Sequence, residues 1–246
     1  MTAKEKAMAI ERLEQVEFAD NPEPRCPVVL LLDVSGSMAG RPIEELNQGL
    51  QEFASVLKSD RLAALRVEVA LITFGGQVRA LDVRSGTQQE IPFDAEQAFV
   101  TIDSFAPPTL AAAGETPMGE AVRKGLTLLR ERKEIYKRNG ADYFRPWVFL
   151  ITDGRPNDNG WEAVPDMVKE EEQRKGLTFY AVGVEGADMK VLARFSEQRP
   201  PMRLKGLAFR EMFQWLSKSL SAVAQSRPGE QVPLPAVGWG QVDTSS

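Results

Sequence analysis

The sequence predicts an open, doubly wound α/β domain on a mostly parallel sheet with one antiparallel edge strand. Three observations carry this prediction. Val28–Asp33 (VVLLLD), Trp147–Thr152 (WVFLIT) and Leu177–Val184 (LTFYAVGV) are apolar runs with little polar alternation, as strands buried on both faces are. Amphipathic helical stretches separate them, which gives the β-α-β order of a crossover sheet. Two of the buried strands also lead into a carboxylate, Asp33 and Asp153, and ligands in such folds bind beyond the carboxyl ends of the strands.

Residues 1–25 are polar and acidic with scattered apolar positions (Ile10, Leu13, Val16, Phe18), and read as a short helix or an arm laid on the domain. After the opening strand, Arg41-Pro42 starts a helix with proline in its first turn, and Ile43, Leu46, Leu50, Phe53 and Leu57 form its apolar stripe. Arg66–Phe74 reads as a second strand turned by Gly75-Gly76. Val78–Val83 is shorter and more polar, and is the expected antiparallel edge. Residues 84–115 are the least regular part, a long loop of the kind that is usually functional.

Thr116-Pro117 should open a long helix, with Thr116 as cap and Met118, Val122, Leu126 and Leu129 facing inward. Helices are expected over 162–175, with Gly176 as the stop, over about 189–195, and over 207–224. Met202–Leu204 is a candidate last edge strand. The domain thus spans 26–225. Residues 226–246 are Pro/Gly-rich and lack a core of their own, so they are either a flexible tail or a strap anchored by Trp239.

Composition narrows the chemistry. The 246 residues contain no histidine, which removes imidazole acid–base catalysis, Ser-His-Asp triads and imidazole metal sites together. The single cysteine, Cys26, forms no internal disulfide and suits a reducing compartment; burial beside the first strand is its expected place. The net charge of −5 disfavours nucleic acid as a partner. The basic stretch Arg123–Arg145 reads as a solvated helix face. With no signal peptide and no apolar run of membrane-spanning length, a cytoplasmic protein without membrane contact is expected.

Asp33, Ser35 and Ser37 leave the first strand at alternate positions, one carboxylate and two hydroxyls. Thr116 stands where a loop enters a helix and Asp153 ends another strand. If these loops share the sheet's carboxyl edge, five oxygen side chains converge and suit a hard divalent ion. Helix capping explains each residue alone but not their convergence. Glu115 reads as a solvated loop charge, Asp158 as turn chemistry, and Trp147 and Phe149 as core.

Asp33-Val-Ser35-Gly-Ser37, Gly114-Glu-Thr116-Pro-Met-Gly119 and Thr152-Asp153-Gly154 resemble, in order and spacing, the metal-ion-dependent adhesion site (MIDAS) of von Willebrand factor A (vWA) domains. More narrowly, Ser37-Met38, Gly40-Arg-Pro-Ile43 and Thr116-Pro-Met-Gly119 resemble bacterial cytosolic vWA proteins linked to tellurium resistance and chemical-stress operons. The resemblance implies that Asp33, Ser35, Ser37, Thr116 and Asp153 bind Mg²⁺ or Mn²⁺, with Ca²⁺ as a third candidate, directly or through water. It also implies that the ion grips an Asp or Glu of a partner protein, so the metal is an adhesive and not a catalyst.

Two alternatives stand beside that reading. One is a metal-assisted phosphoryl-transfer hydrolase, which also places an Asp at the end of a central strand. Such enzymes use a second acid two residues on, where this chain has Ser35, and no P-loop sequence is present. The other is a vWA subunit serving an ATPase or a kinase–phosphatase pair, which differs only in the partner.

Overall fold

A computed structural model of the chain describes residues 17–195 and 198–242. The apolar positions Ile10, Leu13 and Val16 of the N-terminal arm therefore lie outside the described residues.

The strands are β1 (Cys26–Asp33), β2 (Val67–Gly75), β3 (Gln77–Asp82), β4 (Gln89–Ile91), β5 (Val100–Thr101), β6 (Trp147–Thr152), β7 (Thr178–Gly183), β8 (Met202–Leu204) and β9 (Gly240–Val242). They form a single sheet in the order β4-β3-β2-β1-β6-β7-β8-β9, with β5 pairing the start of β2. The centre, from β2 through β1, β6 and β7 to β8, is parallel. β3 is antiparallel to β2, as expected of the polar 78–83 segment, and β4 adds a further antiparallel strand outside it. At the opposite edge β9 runs antiparallel to β8. The apparently irregular 84–115 segment supplies β4, β5 and a short helix, pieces too brief to leave a periodic signal.

The helices are α1 (Arg41–Ser59), α2 (Arg61–Arg66), α3 (Ala95–Ala98), α4 (Met118–Arg138), α5 (Val164–Gln173), α6 (Met189–Leu192) and α7 (Phe209–Ala224). The period of two along β1 sorts its side chains between two cores. Val28, Leu30 and Leu32 face α1 and α7, where Phe53 and Phe213 meet with ring centroids 5.7 Å apart. Val29 and Leu31 face α4, against Val122, Leu126 and Leu129. Cys26 lies within β1, and burial, reinforced by the charge of Glu68, pushes its thiol up to about 12; it is inert as a nucleophile.

Three boundaries differ from the sequence reading. A short helix, α2, ends just before β2; Asp60 caps it by accepting from the backbone N–H groups of Leu62 and Ala63, both at 3.1 Å. α4 begins at Met118, so Thr116 is not its cap. The left-handed residue after α5 is Lys175 (φ 57°), one position before the glycine expected to stop the helix.

The basic stretch is also not wholly a solvated face. Arg132 points inward from α4 and is 1% exposed. Its guanidinium donates to both carboxylate oxygens of Glu68 on β2, at 3.0 and 2.9 Å. Arg25 lies 2.8 Å from the same carboxylate, the Tyr136 hydroxyl donates to it, and Glu17 meets Arg132 from the N-terminal helical turn. Phe18 covers the cluster, with Arg25 and Arg132 lying 5.0 and 5.5 Å from its ring centroid. A carboxylate on a buried parallel strand is tolerated only with such pairing.

Residues 226–242 run back across the domain. Trp239 is 3% exposed and packs edge-on against Trp215 at 5.7 Å, and the Trp215 indole N–H donates to the Pro235 carbonyl at 2.8 Å. The strap is thus the arrangement seen over these residues. Trp239→Ala should lower stability by about 3–5 kcal/mol, the usual range for truncating a buried tryptophan. Chemical denaturation of this variant beside Leu234→Ala, which alters an exposed strap position, would check it. Equal midpoints for the two would contradict the docking.

Candidate metal centre

The two strands with carboxylate ends lie side by side. β1 pairs β2 on one flank and β6 on the other, so the chain leaves their carboxyl ends in opposite directions and opens a crevice between them. Asp33 ends β1 with no exposed surface, and Asp153 follows β6 at 9% exposed.

The Asp33 carboxylate is held from both sides. Its Oδ1 accepts from the Ser35 backbone N–H at 2.8 Å, and its Oδ2 from the Thr152 hydroxyl. The Ser35 and Ser37 hydroxyls are 3.1 Å apart, and the Ser37 hydroxyl donates to Asp153 Oδ1 at 2.7 Å. A continuous run of hydrogen bonds therefore links Thr152, Asp33, Ser35, Ser37 and Asp153, passing through the backbone N–H at Ser35. Thr116, 8% exposed, enters from the α4 side. A β-carbon built on Gly154 would lie 3.2 Å from Thr116 Oγ1 and 3.7 Å from Asp33 Oδ2, so the absence of a side chain there keeps the space between the two oxygens clear. All five residues singled out in the sequence meet at this one edge.

Backbone bonds fix the loops that carry them. The Gly36 N–H donates to the Gly114 carbonyl at 2.9 Å, the Ala113 N–H to the Val34 carbonyl at 2.7 Å, and the Gly76 N–H to the Glu115 carbonyl at 2.8 Å. Gly114 has φ 79°, and any β-carbon on it would meet Gly76 N at 2.5 Å; glycine is required by conformation and by close approach at once.

Three residues outside the five candidate ligands complete the support. Thr152 donates to Asp33 and accepts from the Gly154 N–H at 3.1 Å. Asn157 Oδ1 accepts from the Thr116 N–H at 3.1 Å, while its own N–H donates to the Thr116 carbonyl at 3.2 Å. Asp158 takes the capping role expected of Thr116, accepting from the Gly119 and Glu120 N–H groups at 3.0 and 2.7 Å at the start of α4. Thr116 is thereby left with its hydroxyl free of the helix end. Glu115 is exposed, and Asn157 Nδ2 donates to it at 3.3 Å.

Electrostatics and donor chemistry fit a cation. Burial pushes Asp33 up to about 6, against the lowering effect of its hydrogen bonds to Ser35 and Thr152; the Asp153 charge raises it further. Asp153 is also raised, chiefly by burial, with the Ser37 hydrogen bond opposing. Two carboxylates crowded into a poorly solvated edge are the environment that a divalent ion relieves. Among the described residues no group of three or more carboxylate or cysteine side chains is arranged to hold a metal ion. The donors here are two carboxylates and several neutral hydroxyls, a set suited to a small, hard ion that keeps some of its water.

Comparison with known proteins shows the family and the fold. A mostly parallel sheet flanked by helices, with an oxygen-rich crevice at the switch between two central strands, defines a doubly wound α/β domain. The chain matches the family model of the von Willebrand factor type A domain over residues 28–210, and it belongs to that family. A search of curated proteins finds no match. Among solved structures, the pilus adhesin SpaC of Lactobacillus rhamnosus GG in its open conformation is 14% identical, with a TM-score of 0.59 over 81% of this chain and 30% of that one. A von Willebrand factor type A protein from Catenulispora acidiphila is 16% identical, with a TM-score of 0.51 over 81% of this chain and 43% of that one. Proximal thread matrix protein 1 from the mussel byssus, with a zinc-occupied MIDAS motif, is 15% identical, with a TM-score of 0.50 over 81% and 48%. This chain thus spans less than half the length of each of these proteins, and at these identities the likeness is one of fold. No helix among the described residues is long and apolar enough to cross a membrane.

Proposed function

We propose that this protein is a metal-dependent protein-binding module, and that its MIDAS comprises Asp33, Ser35, Ser37, Thr116 and Asp153. The observation that carries the reading is the linked run of hydrogen bonds from Thr152 through Asp33, Ser35 and Ser37 to Asp153 at the switch point, with Thr116 across the space that Gly154 leaves open. Asp33 and Asp153 would supply negative charge, and the three hydroxyls neutral oxygen ligands, directly or through water. Mg²⁺ or Mn²⁺ suits that set, with Ca²⁺ as a third candidate. When bound, the ion supplies local attraction for a carboxylate on a chain whose net charge of −5 offers none at long range. The partner is accordingly a protein that presents an Asp or Glu.

The rest of the site serves positioning. Thr152 and the Ser35 N–H hold Asp33 in one orientation, and Asn157 holds Thr116. The Arg155–Gly160 loop, whose Arg155 pairs with Asp188 at 3.0 Å, lies against the loop that ends at Glu115, since Asn157 bonds both Glu115 and Thr116. Catalysis finds little to work with here. Ser35 stands where a phosphoryl-transfer enzyme needs an acid, no histidine exists, and the raised position of Asp33 follows from its burial.

The narrower kinship to cytoplasmic vWA proteins of tellurium-resistance and chemical-stress operons rests on the Gly40-Arg-Pro-Ile43 and Thr116-Pro-Met-Gly119 runs, and with it a bacterial stress role in the cytoplasm. Whether the partner belongs to an ATPase or a kinase–phosphatase system is a matter of who binds, not of this site.

The test is capture of partners on immobilised protein in Mg²⁺ and in EDTA, beside a Thr116→Ala column. A partner retained in Mg²⁺, released by EDTA and missing from the variant is the expected result. Equal retention in all three would overturn the gating role.

A further inference from the structure

At the opposite end of the sheet from the metal centre lies a cavity of about 520 Å³, within the range that small-molecule sites occupy. Its wall on the sheet side is aromatic: Phe144, Trp147 at the start of β6 and Tyr180 on β7. Trp147 and Tyr180 are in contact, with ring centroids 5.2 Å apart. The other side is the strap, through Val232 and Leu234, in a stretch without regular secondary structure.

Three cations line the same cavity: Arg145, Lys175 and Arg199. Arg199 is bonded to Glu172 at 3.0 Å and lies over the Tyr180 ring at 5.6 Å. Among the described residues, no hydrogen bond or ion pair engages the side chains of Arg145 and Lys175, and both residues are exposed. The opposing charge in the lining is Glu230, whose carboxylate accepts from the Arg227 N–H at 3.0 Å. The local balance is positive on a chain whose total is −5.

Lys175 adds an independent observation. It is the only described non-glycine residue with a positive φ, at 57°, in the position after a helix where glycine is strongly preferred. Glycine stands one place later, at 176. The left-handed backbone is thus occupied by a lysine that lines this cavity, an unfavourable local choice of the kind that functional sites retain.

We propose that this cavity is a second ligand site, independent of the metal, for a small organic anion: a carboxylate, sulfonate or phosphate carried on an aromatic or apolar body. Arg145 and Lys175 take the anionic group, and the Phe144–Trp147–Tyr180 wall and the strap take the body. An acidic group without such a body would leave that wall unused, and a neutral body would leave the two cations unused.

The probe is anilinonaphthalene sulfonate, titrated by fluorescence into the full chain in EDTA, with uncharged phenylnaphthylamine as the comparison. The wild type should bind the anionic dye saturably at one site. Lys175→Gly, which also relaxes the backbone, should weaken the anionic dye about tenfold, and Arg145→Gln with Lys175→Gly about a hundredfold, as expected for losing one and two charge-assisted contacts. Binding of the uncharged dye should not change. Lys175→Gln keeps the β-carbon and should match Lys175→Gly in dye affinity, which separates charge from backbone. The proposal is overturned if saturable binding is absent, if the double variant binds the anionic dye as well as the wild type does, or if both dyes weaken together.

Discussion

Asp33→Asn should abolish binding of Mg²⁺ and Mn²⁺ by calorimetry while the domain stays folded. Asparagine keeps the shape and can still accept from the Ser35 N–H, while its amide can donate to the Thr152 hydroxyl, so the hydrogen bonds at the end of β1 have replacements. What disappears is the charge of the more deeply buried of the two carboxylates. Ligand binding to the folded state alone raises stability by about 2.7 kcal/mol when the ligand is at a hundred times its dissociation constant. Wild type should therefore melt higher in excess Mg²⁺ than in EDTA, and Asp33→Asn should melt at one temperature in both. Because burial already holds the metal-free carboxylate above its ordinary range, the variant in EDTA should be at least as stable as the wild type in EDTA. A variant that titrates like wild type would remove Asp33 from the site.

A loss of stability as large as that of Trp239→Ala should come from the other end of the sheet. Glu68→Gln leaves Arg25 and Arg132 buried with their shared counter-charge gone, a change that costs about 3–5 kcal/mol. At about 2–4 °C per kcal/mol for a chain of this size, the melting temperature should fall by on the order of 10 °C. Replacing all three by apolar residues of similar volume, together with Tyr136→Phe, should recover much of the loss, since then no buried charge or hydroxyl is left unpaired and Glu17 is partly exposed to water. The pH dependence has a definite sign. Burial alone would raise Glu68, but Arg132, the Tyr136 hydroxyl and Arg25 outweigh it and hold the carboxyl below its ordinary 4.5. A carboxyl lowered in the folded state stabilises fully above its unfolded value and loses that contribution as pH falls through the folded one. Wild type should thus lose stability below about pH 4.5 relative to Glu68→Gln, and parallel melting curves from pH 7 to 3 would refute the assignment.

The fold and the first ring of the site were legible in the chain for the same reason. Strands buried on both faces are continuous apolar runs, and a carboxylate that ends such a run stands out against them. Asp33 and Asp153 announce themselves in this way, and Ser35 and Ser37 follow by spacing. The supporting residues do not. Thr152 reads as the last β-branched residue of a strand, Asn157 and Asp158 as turn residues, and only the pairing of β1 with β6 and of the 154–160 loop with α4 gives them partners. The Arg132–Glu68 pair was hidden by a similar distance. On a helical wheel Arg132 is one more basic residue, and nothing local tells that the carboxylate 64 positions earlier faces it. Antiparallel additions such as β4 and β9 are three residues each, shorter than any period can reveal.

The Thr152–Asp33 and Ser37–Asp153 contacts join residues 119 and 116 positions apart in the chain. They require β1 and β6 to lie side by side, and a parallel pair separated by so much chain forms only after a large loop has closed, a slow event in folding. The crevice thus has no precursor in any partly folded fragment: a nascent β1 offers one carboxylate and two hydroxyls, and β6 the other carboxylate, with nothing to hold them together. Divalent ions in the surroundings then cannot template this domain as they do a zinc finger. They meet it only as a finished object, and a drop in the folding rate on chelation would be as unexpected here as a change in the unfolding rate is expected.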